Sequence, residues 1–123
     1  MSTSRHKRRV ALGIYWCKYS THPQHKMSAL AFNTGGVLAG GANSLKTHPK
    51  AATYGNHLHA ELAMIFAACN DELRGTTVLV TRVKKSGALG TSKPCEVCWA
   101  ALKEAGVKDV VYYEDGCWRK ERM

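Results

Sequence analysis

No aspartate or glutamate occurs in the first sixty residues of this 123-residue chain. Eight basic residues stand there unopposed (Arg5, Lys7, Arg8, Arg9, Lys18, Lys26, Lys46 and Lys50), whereas ten more in the remainder are nearly balanced by all nine acids. The net charge of +9 therefore belongs to the amino-terminal half. Such an uncompensated surface raises the local concentration of anions, including nucleotide phosphates and nucleic-acid backbone. The bland alternative is a solvated face with no partner. Long apolar runs are missing too. Nothing approaches the roughly 20 residues of a membrane span. The start MSTSRHKRRVALGIYWCKYS lacks the apolar segment and cleavage site of a signal peptide. The expectation is a cytoplasmic protein with no membrane partner. Five cysteines, an odd number without the dense spacing of a secreted disulfide scaffold, make reduced thiols the better assumption and leave metal binding as the natural use of a cysteine pair. Repeats, low-complexity tracts and an interdomain linker are also absent. A single domain is expected over 1–123, with a basic helix and loop over 1–27, a core over 28–115 and a tail over 116–123.

Apolar spacing at Val10, Ile14 and Cys17 predicts a first amphipathic helix over 5–20, which Gly13 weakens. MSALAFNTGGVLAGGANS reads as two strands joined at Asn33-Thr34-Gly35-Gly36. Residues 45–56 read as a loop long enough to cover something, and HLHAELAMIFAACN, from His57 to about Asn70, as a helix buried against a sheet. TTVLVTRVKK is a strand, CEVCWAALKEAG a helix ending at Gly106, and VKDVVYYED another strand. Strands separated by single helices imply parallel neighbours late in the chain. The fold class is thus α/β: a mixed sheet with helices on both faces, an α-β-α sandwich of three layers.

Chemistry concentrates at two helix starts. Cys95 and Cys98 stand three apart in the first turn of a helix, on one side, where the positive helix end favours thiolates and two sulfurs can share an ion. Taken alone, Cys-x-x-Cys fits a redox pair equally well. His59 adds a nitrogen ligand, giving three protein contacts to zinc and an open fourth position, the layout of a catalytic site. Glu61, the first acid of the chain, follows two residues later, where a carboxylate can shuttle protons for metal-bound water. The competing arrangement is a closed zinc knuckle with a fourth ligand from Cys117 or His57. Cys69, ten residues beyond His59 on the same predicted helix, would lie about 15 Å along its axis, out of reach.

His59-Ala60-Glu61 with Pro94-Cys95-Glu96-Val97-Cys98 forms the H-x-E and P-C-x-x-C pair, and from about Ser28 to Asp115 the chain resembles the cytidine and deoxycytidylate deaminase superfamily. The resemblance implies hydrolytic deamination, with zinc held by His59, Cys95 and Cys98 and with protons moved by Glu61 until ammonia leaves. It also implies a sugar contact at Asn43, and backbone contacts to the base at Ala60 and around Ser92 to Pro94. His57 would line the pocket or cap the helix, and Lys46 and His48 would meet a phosphate. CEVCWAAL departs from the form of free-cytidine deaminases, as does His59 in place of cysteine. The pattern leans toward the deoxycytidylate, tRNA and polynucleotide branches. The expected substrate is cytosine in a nucleoside or nucleotide, a monophosphate such as dCMP. Two alternatives are cytosine or adenine in single-stranded DNA or RNA, with Arg5 to Arg9 tracking the backbone, and a non-catalytic zinc-stabilised nucleic-acid module. The short tail suggests a homo-oligomer in which a neighbour closes the pocket.

Overall fold

A computed structural model describes residues 4–22, 25–44, 58–69 and 71–123. In chain order the elements are α1 (Ser4–Trp16), a 3-10 turn (Cys17–Tyr19), β1 (His25–Asn33), β2 (Gly36–Ala42), α2 (Ala60–Ala67), β3 (Thr77–Lys84), α3 (Glu96–Glu104), β4 (Asp109–Glu114) and β5 (Cys117–Arg122). The strands form one mixed sheet in the order β2-β1-β3-β4-β5. β3 and β4, joined through α3, run parallel, and the other neighbours are antiparallel. Among the described residues no helix is long and apolar enough to cross a membrane.

Strand alternation divides the core between the two faces. Ala29, Ala31, Val78, Val80, Val110 and Tyr112 point to the side where Met64 of α2 and Leu102 of α3 pack. Leu30, Phe32, Leu79 and Val111 point to the other, against Val10 and Trp16 of α1. The layers are those the sequence predicted. At the edge strand β2, Gly40 and Gly41 lack side chains for opposite reasons. A Cβ on Gly40 would meet the Trp16 ring at 2.9 Å, and one on Gly41 would run into the α2 backbone at Met64 N, with Ala60 O at 2.8 Å. Because backbone cannot move aside, Gly41→Ala is expected to lift α2 from the sheet and cost about 1–3 kcal/mol. Thermal melting checks this, since an unchanged midpoint would mean that α2 does not dock so closely.

Three boundaries differ from the sequence reading. α1 ends at Trp16 and continues as a single 3-10 turn. α2 ends at Ala67 instead of reaching Asn70, because Ala68 is extended (ψ 150) and the chain turns at Asp71 (φ 58). Cys69 is therefore not on that helix. Residues 116–123 are not a tail: β5 pairs with β4 through Asp115 (φ 53) and Gly116 (φ 77), the paired left-handed conformations of a tight hairpin. The predicted loop over 45–56 lies outside the described residues.

Candidate active site

Two helices begin side by side at the carboxyl end of the parallel strand pair, where ligands of open α/β sheets bind. His59 is the residue before α2 and Cys95 the residue before α3, both extended (ψ 151 and 169) and neither capping its own helix with its side chain. The imidazole and the thiol are left to face each other. Reciprocal backbone hydrogen bonds between Ser44 and Leu58 (2.9 and 3.1 Å) fix the entry to His59 from the end of β2. Ser92 fixes the entry to Cys95. Its hydroxyl donates to Val80 O at 2.7 Å and accepts from Tyr113 N at 2.8 Å, and its own amide donates to Tyr113 O at 2.9 Å. Leu62 and Cys98 then pack the two helices together.

The outcome is a cluster of His59, Cys95 and Cys98 whose donor atoms all lie within 4.8 Å of one another. His59 Nδ1 is 3.3 Å from Cys98 Sγ and 3.7 Å from Cys95 Sγ. A tetrahedral zinc ion, with Zn–N of roughly 2.05 Å and Zn–S of roughly 2.3 Å, sets such atoms about 3.6 Å apart. Charge agrees with spacing. Burial first, then the Glu61 carboxylate and Cys95, push the Cys98 thiol far above its ordinary range, a cost to the thiolate that a cation bound between these groups would offset. The donor set fits zinc. Among the described residues no fourth ligand joins it. Cys117 sits on β5 opposite Glu114, and Cys69 is exposed beyond α2.

Glu61, in the first turn of α2, is 2% exposed. Burial raises its carboxyl pKa, while its own amide, His59 and the Cys98 thiol pull it back. It nevertheless lines a cavity of about 460 Å³ shared with His59, Cys95, Leu58 and Asn43. That volume lies in the range of small-ligand sites, roughly 300–1,000 Å³.

The remaining predicted contacts fare unevenly. The Asn43 side chain lines the cavity but is engaged on both ends of its amide: its oxygen accepts from Met27 N at 2.9 Å and from Ser20 Oγ, and its nitrogen donates to His25 O at 2.7 Å. Ala60, Ser92 and Pro94 are buried beside the site without lining the cavity. Lys46, His48 and His57 lie outside the described residues. In their place the cavity gathers His22, His25, Arg82, Thr91 and Lys93, which the sequence reading passed over. Arg82 carried a readable signal. It follows Val78 and Val80 on one face of β3, a charge where the pattern calls for an apolar residue at the ligand-binding end of a strand.

Comparison with known proteins agrees with this geometry. The model of the cytidine and deoxycytidylate deaminase zinc-binding region matches residues 2–114. No curated protein sequence matches the chain. Among solved structures it is similar to apo dCMP deaminase from the cyanophage S-TIM5 (21% identity, TM-score 0.64, 89% of this chain and 82% of that one). It is also similar to cytidine deaminases from Burkholderia pseudomallei (19%, TM-score 0.65, 95% and 91%) and Mycobacterium tuberculosis (19%, TM-score 0.59, 98% and 91%). At these identities the likeness speaks to the fold.

Proposed function

The chain belongs to the cytidine and deoxycytidylate deaminase family, and from that premise we propose that it is a zinc-dependent hydrolase that converts cytosine to uracil in a nucleoside or nucleotide, with a monophosphate such as dCMP as substrate. The observation that carries this reading is the approach of His59, Cys95 and Cys98 beside a buried carboxylate that faces a cavity. Zinc bound by those three residues would supply Lewis-acid activation of a water molecule. Glu61 does the proton work. It takes one proton from the attacking water and passes it to the ring nitrogen as the water oxygen bonds to the amino-bearing carbon, then carries the second proton of the same water to the exocyclic amine as the carbon–nitrogen bond breaks. Water and cytosine are consumed, and uracil and ammonia are released. The low-polarity setting of Glu61 suits the role, since burial raises its pKa, which makes the carboxylate a stronger base toward water and lets it hold the proton between the two transfers. Ammonia release from cytidine, deoxycytidine, their monophosphates and a short single strand tests the proposal, and silence on all five would remove it.

The basic amino terminus enters this reading at a distance. Arg9 stacks on Phe32, 4.5 Å from the ring centroid, and with Arg5 and Arg8 it borders the β1–β2 turn. The cavity instead lies at the His25 end of β1, eight residues away or about 26 Å along the strand. Screening at physiological salt acts over about 8 Å. Removing Arg5 and Arg8 together is therefore expected to leave kcat/KM for dCMP within about twofold. A larger loss in steady-state assays would tie this patch to the substrate site after all.

A further inference from the structure

The cavity that holds Glu61 carries a second chemistry on its walls. Glu61 is the one carboxylate among its described lining residues, whereas Arg82, Lys93, His22 and His25 all border it. Arg82 Nη2 lies 2.6 Å from His25 Nδ1. A guanidinium only donates, so this His25 nitrogen is the acceptor. His25 is itself set in place: its backbone amide donates to His22 Nδ1 at 3.0 Å, and the two rings are 5.1 Å apart. The turn after β3 ties back to the Arg82 backbone, with Gly90 N donating to Arg82 O at 3.0 Å and a bridge between Val83 and Leu89.

Among the described residues no acid pairs with the arginine of this arrangement, and its buried Nε has no hydrogen-bond partner. A guanidinium held by a ring nitrogen, in a cavity that a lysine also lines and with no carboxylate partner among the described residues, is half of a bidentate anion site. We propose that Arg82, positioned by His25 and assisted by Lys93, binds the phosphate of a nucleoside monophosphate and so selects nucleotide over nucleoside. The inference rests on the deaminase reading, because it is the base held near Glu61 that leaves the far end of the same molecule to the arginine. A monophosphate suits the place. It brings a charge of about −1.5 to −2 and oxygens that match the guanidinium fork.

The test compares wild type with Arg82→Gln in two ways. One is equilibrium dialysis of dUMP and deoxyuridine against the zinc-loaded protein, and the other is kcat/KM for dCMP and for deoxycytidine. Wild type is expected to bind dUMP at least about tenfold more tightly than deoxyuridine. In the variant the dCMP-to-deoxycytidine ratio of kcat/KM should fall about 10- to 100-fold, the usual cost of one charge-assisted pair. Lys93→Ala, at an exposed position, should move the ratio the same way by less, and it serves if Arg82→Gln does not fold. An unchanged ratio in both variants overturns the proposal, as does equal binding of dUMP and deoxyuridine by wild type. A wild-type preference for a single-stranded oligonucleotide over dCMP overturns it in favour of a polymer. If no cytosine substrate is turned over, the deaminase reading fails, and the dialysis result still decides on the phosphate site by itself.

Discussion

Glu61→Gln is expected to lower the rate of ammonia release by about 10²–10⁴-fold, the usual contribution of a positioned general acid–base group. The amide keeps the size and most of the hydrogen-bonding capacity of the carboxyl, so the loss isolates proton transfer. Three further readouts separate that role from a structural one. Zinc content should be unchanged, because the candidate metal cluster is His59, Cys95 and Cys98 without Glu61. The melting temperature should not fall, because burying an amide costs less than burying a carboxylate and Glu61 is almost wholly enclosed. Binding of dUMP should persist. Loss of zinc along with activity would instead make Glu61 a ligand, and retention of full turnover would dismiss it as the proton shuttle.

Glu61 was legible because its surroundings are local. The H-x-E spacing places the proposed ligand and the proposed shuttle at one helix start, and Cys-x-x-Cys does the same for the other pair of candidate ligands, so helix periodicity alone brings each half of the candidate site into shape. That the halves meet rested on the chemistry of a third zinc ligand and on the resemblance, not on local spacing, since His59 and Cys98 are 39 residues apart. The Arg82–His25 contact spans 57 residues and belongs to no motif, which is why the cationic wall of the cavity went unread. Among the elements, the first hairpin was plain from Asn-Thr-Gly-Gly, yet β5 was missed although Asp115-Gly116 is an equally strong turn signal. Its six residues, CWRKER, are mostly charged and do not alternate, because an edge strand is guarded with lysine and arginine and has little core to contact. The overshoot of α2 has the opposite cause: AMIFAAC is apolar throughout, and helical spacing by itself contains no stop.

Cys98→Ala is expected to abolish activity and most zinc binding together, and the size of the accompanying stability change should depend on the metal. Cys98 is fully buried at the junction of α2 and α3. Without a cation its thiol stays protonated under the push of burial, Glu61 and Cys95, so in metal-free protein the substitution removes a small, neutral group. With zinc bound, the same sulfur becomes a charged ligand, and the free energy of metal binding adds to folding. At a hundredfold excess of free zinc over its dissociation constant that addition is about 2.7 kcal/mol. At roughly 4 °C per kcal/mol for a chain of this size, zinc should raise the melting temperature of the parent by about 10 °C. The variant should show little of that rise, so that the effects of the mutation and of chelation are strongly non-additive. Melting curves of both proteins with and without zinc, together with metal content by atomic absorption, give the four corners of the cycle. If zinc stabilises Cys98→Ala as much as the parent, the ion is held by other residues, and the catalytic layout argued from His59, Cys95 and Cys98 is wrong.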